Sequence, residues 1–183
     1  MKKLIVFFTL LSISFASFAG NVEKERAKVL DTKTEILARL YQESPETKGK
    51  IANAAGYATF SNVGVNVIFV SAGGGSGVVH NNESGKNTFM SMGSGGLGLG
   101  LGVKDFRAVF IFNTQKAMSD FTNNGWDFSG QADAAAKSGD KGGEGSVAKT
   151  AVKDVEVYQM TENGIALQAT LQGTKYWKND KLN

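Results

Sequence analysis

The sequence predicts an α+β fold, with N-terminal helices packed on a glycine-rich, largely antiparallel β-sheet or barrel. Three observations carry this prediction. Apolar residues recur at helical spacing over residues 21–43, the period changes to two from Tyr57 onward, and strand patterns then follow one another with few helical segments between them.

The first element is an amphipathic helix. Val22, Val29 and Ile36 recur every seven residues, and Leu30, Leu37, Leu40 and Tyr41 widen the stripe. Glu35 and Arg39 stand at i and i+4 in the favourable order. Ser44-Pro45 ends this helix and predicts a second, over 45–54, with Ser44 as its N-cap and Gly56 as its stop. Strands are expected at 57–60, 65–71 and 77–80. A turn over Asn81-Asn82-Glu83-Ser84-Gly85 then leads to a return strand at 86–92.

Gly96-Leu97-Gly98-Leu99-Gly100-Leu101-Gly102 reads as a strand with leucines on one face and bare backbone on the other. A helix would pay about 1 kcal/mol for each glycine relative to alanine. Residues 107–112 are apolar after Arg107, the pattern of a central strand covered on both sides. Asn113 is the expected cap of a short helix that buries Ala117, Met118 and Phe121, and Asn123-Asn124-Gly125 stops it. An extended stretch at 126–134 precedes a mobile loop at 136–149. The chain closes with a hairpin of residues 153–160 and 165–176 across Asn163-Gly164.

Lys2 and Lys3, the uncharged run from Leu4 to Ala16 and the small residues of Ser17-Phe18-Ala19 read as a cleavable signal peptide over 1–19. The run is shorter than the ~18 residues that span a bilayer. The domain division expected is therefore 1–19 for export and 20–183 for one domain, helical over 20–55 and β-rich over 56–177. This places the protein in the periplasm or associated with the envelope. Of the 20 basic side chains Lys2 and Lys3 leave with the signal, so 18 basic and 17 acidic side chains remain, and a nucleic-acid partner is not expected. With no cysteine there is no disulfide framework, and stability rests on the packed core.

Chemistry-bearing motifs are sparse. One histidine, His80, stands beside the predicted turn, where it reads as an exposed loop residue, and no catalytic residue, cofactor or metal is expected. Gly93-Ser94-Gly95-Gly96-Leu97-Gly98 matches G-x-G-x-x-G but runs into the Gly-Leu alternation instead of opening a helix. Asp133, Asp140 and Glu144 lack the spacing of a calcium loop and read as a solvated face. Two features suit a membrane surface. One is the 21–43 helix with Lys24, Arg26, Lys28, Lys33 and Arg39 around its stripe, though docking on the sheet is the favoured reading. The other is the C-terminal set Lys175, Tyr176, Trp177, Lys178 and Lys181.

Residues 54–177 resemble the SYLF domain family. Gly56-Tyr57-Ala58-Thr59-Phe60-Ser61-Asn62-Val63 is similar to its G-Y-A-x-F-P-x-V opening, with Ser61 in the place of proline. Gly73-Gly74-Gly75-Ser76-Gly77-Val78-Val79 is similar to its glycine cluster and G-x-G-V return. Val109-Phe110-Ile111-Phe112-Asn113-Thr114, followed by Ala117, Phe121 and Trp126, resembles its hydrophobic strand and short helix. Gly164-Ile165, Leu171, Gly173 and Thr174 echo its ending.

The resemblance implies phospholipid headgroup binding without catalysis, and a bacterial type of export signal favours a generic anionic phospholipid over a phosphoinositide. Eukaryotic relatives are also linked to actin, a role that a periplasmic location does not fit. The basic residues expected to contact phosphate are Arg26, Lys33, Lys48, Lys50 and Lys175. The alternative open at this point is a self-associating structural or interaction protein of the periplasm, because glycine-rich strand edges can pair between chains. A hydrolase ranks third and would require carboxylates gathered in a cleft.

Overall fold

The computed structural model describes residues 2–62, 74–94, 107–127, 147–152, 154–160 and 174–183. Within them lie three helices, α1 (Lys2–Glu43), α2 (Thr47–Asn53) and α3 (Gln115–Asn124). The described strands are β1 (Gly56–Ser61), β2 (Gly74–Asn81), β3 (Asn87–Ser94), β4 (Arg107–Phe112), β5 (Trp126–Asp127), β6 (Val147–Val152), β7 (Val155–Met160) and β8 (Thr174–Lys178). They form one sheet in the order β5-β8-β3-β2-β1-β4-β7-β6, and every described pairing is antiparallel. The fold is α+β, as the change of period predicts.

Strand alternation divides the core between two faces. On one, α1 and α2 cover the sheet. Ile36, Leu40 and Ile51 pack on Tyr57, Val109, Ile111, Tyr158 and Met160, and Val29 packs on Val78, Phe89 and Leu182. On the other, Met118 and Phe121 of α3 join Phe60, Phe110, Phe112 and Tyr176 in an aromatic cluster, with ring centroids 4.6 Å apart for Phe60–Tyr176 and 5.1 Å for Phe110–Tyr176. The alternating side chains of β4 serve both faces, Val109 and Ile111 under α1 and Ala108, Phe110 and Phe112 under α3. This is the central, doubly covered strand that its apolar run predicts.

Glycines permit the close approaches on the α3 face. A Cβ at Gly77 would collide with the Phe60 ring and the Thr59 carbonyl of the neighbouring strand. Gly125 ends α3 at φ 69°, and its amide donates to the Phe121 carbonyl.

Several boundaries differ from the sequence reading. The 21–43 stripe is the later part of α1. Ser44-Pro45 belongs to a turn, in which the Ser44 carbonyl accepts from the Thr47 amide and hydroxyl; α2 begins at Thr47 after Glu46, and Gly56 opens β1. The cap of α3 is Thr114, whose hydroxyl accepts from the Ala117 amide, one residue beyond Asn113.

The hairpin across Asn163-Gly164 is replaced by another. The register of β7 gives one edge to β4 and the other to β6 along its whole length, so no edge remains for residues 165–176. The chain reverses instead between Val152 and Val155, where Asp154 adopts φ 62°. β8 pairs with β3 and β5. Residues 147–149, assigned to the mobile loop from sequence, lie in β6. The expected strands at 65–71 and 96–102, residues 128–134 and the loop over 136–146 lie outside the described residues.

Candidate functional site

The predicted basic residues do not form one patch. Arg26 faces the C-terminal tail. Its Nε donates to the Leu182 carbonyl at 2.9 Å, Nη1 pairs with Glu23 at 2.8 Å, and the guanidinium lies 5.8 Å from the centroid of Phe89. Lys50 is half-buried over β7, 2.9 Å from Glu156 and 3.1 Å from the Tyr158 hydroxyl. Lys175, on β8, pairs with Asp127 of β5 at 2.7 Å. Lys33 lies half-buried on α1, where desolvation lowers its pKa. Lys48 is exposed on α2. Arg26 and Lys175 therefore share the β3/β8 end of the sheet, whereas Lys50 stands over β7, four strands from β3.

What the β3/β8 end presents follows from the period of the strand. Tyr176 pairs with Met92 and turns inward, so that burial pushes its phenol far above the ordinary tyrosine range. Its neighbours Lys175 and Trp177 turn to the α1 face. There the indole of Trp177 lies against the backbone of Gly93, 47% exposed, the one exposed large hydrophobic side chain among the described residues. Sequence reasoning grouped Tyr176 with Trp177 as one aromatic set. Alternation along an edge strand is the signal that separates them.

The tail beyond β8 is tied down rather than frayed. The Asn179 amide donates to the Phe89 carbonyl at 3.0 Å, and its side chain donates to Ser91 Oγ at 3.0 Å. Asn183 brackets the Phe89 backbone, accepting from its amide at 2.9 Å and donating to its carbonyl at 2.7 Å. Lys181 reaches Glu25 of α1 at 3.2 Å, and Leu182 is buried beside Val29. These contacts bridge residues up to 156 positions apart, and no local pattern foretells them. The result is an anchored strand end from which Trp177 and Lys175 project on the α1 face, while Lys178 follows Tyr176 to the α3 side.

His80 is half-buried in β2, its Nδ1 2.8 Å from Asn87 Oδ1 and its ring 5.2 Å from Tyr57. It is a sheet residue and not an exposed loop residue. Among the described residues no group of three or more His, Asp or Glu side chains is placed to hold a metal ion, and no helix is long and apolar enough to cross a membrane.

Comparison with known proteins identifies relatives of this chain. Residues 93–183 match the family described as "Ysc84: Las17-binding protein actin regulator". The chain is also 31% identical over 148 residues to "Beta cell expansion factor A" of Aeromonas veronii, an alignment that covers 80% of this chain and 54% of that protein. The chain thus spans about half the length of the curated relative it matches. The motifs quoted from β1 to β8, the α+β architecture and both matches lead to one assignment: the chain belongs to the Ysc84, or SYLF-domain, family.

Proposed function

We propose that the protein is a non-enzymatic phospholipid-binding module of the bacterial envelope, exported by its N-terminal signal and seated on anionic headgroups through the β3/β8 end of the sheet. The observation that carries this reading is the exposed indole of Trp177 beside Lys175. An indole is stable at the depth of lipid headgroups, where its ring meets apolar carbon and its N–H meets water. A lysine two residues away on the same strand face reaches the phosphate level. Lys175 is exposed and its pair with Asp127 is correspondingly weak, so a headgroup phosphate can replace that carboxylate.

Arg26 and Lys50 support the fold in this reading. Their partners are the tail carbonyl of Leu182 and the Glu156 carboxylate, and their removal perturbs packing before it perturbs lipid contact.

Vesicle co-flotation tests the proposal, with zwitterionic and anionic liposomes at low and moderate salt. The expected result is binding to anionic vesicles that weakens as salt screens the charges, with Trp177 emission moving to shorter wavelength. No binding under any condition would overturn the membrane reading. Concentration-dependent sedimentation of the protein alone would then favour self-association.

A further inference from the structure

On the α3 face, the side of the sheet opposite Trp177, a cleft of about 460 Å³ opens between α3 and the β6–β7 turn. Its floor is apolar, formed by the buried side chains of Phe121 and Val155 beside the Trp126 indole. Its rim is charged, with Lys116 and Asp120 from α3 and Asp154 from the turn. Trp126 is held in place by Phe110 and Phe121, at centroid distances of 5.9 and 5.7 Å.

Among the described residues, the rim charges do not balance. Lys116 and Asp120 pair at 2.5 Å, but their side chains are 83% and 55% exposed, so the pair exchanges readily with solvent or solute. Asp154 has no ion-pair partner among the described residues. The Asp154 carbonyl accepts from the Asn113 amide at 2.9 Å, which ties its turn to the start of α3 and sets the side chain at the cleft. Two carboxylates and an indole thus face one ammonium. Carboxylates beside an aromatic ring attract an organic cation, and Lys116, one helical turn from Asp120 on α3, suits an anion.

We infer that the α3 cleft binds a small zwitterion that carries an ammonium and a phosphate ester, the chemistry of phosphoethanolamine. The ammonium sits between Trp126, Asp154 and Asp120, and the phosphate takes Lys116. The ligand opens the Lys116–Asp120 pair and supplies each partner with a new counter-charge. The volume falls within the ~300–1,000 Å³ of small-molecule sites. This ligand is not bulk anionic lipid, and the inference does not rest on the membrane reading. Trp126 and Trp177 lie on opposite faces, and a soluble ligand tests the cleft with no vesicle present.

The chain has two tryptophans, so Trp177→Phe leaves Trp126 as the sole indole reporter inside the cleft. Titration of that variant with O-phosphoethanolamine is expected to change the emission saturably, with calorimetry reporting the same midpoint. Ethanolamine and glycerol 3-phosphate, each lacking one charge, should bind about tenfold more weakly. Asp154→Asn, which tolerates the same left-handed backbone, should weaken O-phosphoethanolamine about tenfold in the same background while leaving the unfolding midpoint in place.

A dispersed short-chain phosphatidylethanolamine separates the two sources of this chemistry. Tighter binding than the free headgroup identifies a lipid, and equal binding a soluble ester. The inference is overturned by absence of both emission change and heat, by glycerol 3-phosphate binding as well as the zwitterion, or by an Asp154→Asn variant that binds unchanged.

Discussion

Trp126 and Trp177 stand on adjacent strands and only one register step apart, since Trp126 pairs with Tyr176, yet they occupy opposite faces of the sheet. Trp126 joins an aromatic cluster that includes Phe60, Phe110, Phe121 and Tyr176. Trp177 rests on Gly93 at the margin of the α1 face and remains 47% exposed. The same residue type thus serves cohesion on one face and presentation on the other, and the alternation of the strand decides which. The α3 face holds the sheet together through a cluster of rings; the α1 face holds it through the aliphatic stripe of α1 packed on Tyr57, Tyr158 and Phe89.

The sharpest way to break this division is to empty the α3 face. Phe110 is fully buried and within 6.5 Å, centroid to centroid, of Phe60, Phe112, Phe121, Trp126 and Tyr176. Phe110→Ala should lower the unfolding free energy by about 3–5 kcal/mol, measured by urea denaturation. A loss below about 1 kcal/mol would show that the cluster relaxes to fill the space and that the rings are not its framework.

Gly125 tests the junction between α3 and the strand that carries Trp126. Its φ of 69° and ψ of −174° lie in a region that essentially only glycine occupies, and an added Cβ would collide with the Tyr176 carbonyl. Gly125→Ala should cost roughly 2–3 kcal/mol in the same assay. It should also disturb the emission of Trp126, which follows Gly125 directly in the chain.

Much of this arrangement is legible in the sequence, and what is not has a physical cause. The change of period at Tyr57 and the apolar run of β4 reveal the fold class because they are local consequences of burial on one or two faces. Asn163-Gly164 misleads because turn chemistry says only that a reversal is easy. Which strands pair depends on which edges are vacant, and β4 and β6 occupy both edges of β7. The basic residues are visible in sequence, but their partners are not. Arg26 meets a carbonyl 156 residues away and Lys50 meets Glu156, so counting cations overestimates the charge available to a ligand. The separation of Tyr176 from Trp177 was within reach, because period two alone requires it.

A smaller effect comes from pH. Burial raises the Tyr176 phenol far above its ordinary value, and burial also raises Tyr57 and Tyr41. Below pH ~10 both folded and unfolded chains hold these protons, and stability does not depend on them. Above it the unfolded chain releases the Tyr176 proton while the folded chain keeps it, so stability falls by up to about 1.4 kcal/mol per pH unit. Lys33 acts in the opposite sense near the same pH, because its folded pKa is lowered and the unfolded chain holds the extra proton. Tyr176→Phe should therefore flatten the alkaline limb of a stability–pH curve. An unchanged limb would mean that water reaches the phenol and that the α3 face is less dry than its packing indicates.

The smallest expected change in stability comes from Trp177, and its size is what gives it value. An exposed indole resting on a glycine contributes little to folding, so Trp177→Ala should shift the unfolding free energy by no more than about 0.5 kcal/mol. If the α1 face presents this ring to lipid, the same substitution should lower partitioning to anionic vesicles about tenfold, while Lys175→Gln should mainly reduce its salt dependence. A Trp177→Ala variant that folds normally and floats with vesicles as before would remove Trp177 from the lipid contact. If instead it loses several kcal/mol of stability, the ring belongs to the core, and the two faces differ less than their exposure implies. Stability and partitioning measured on one variant thus separate presentation from cohesion, which neither measurement does alone.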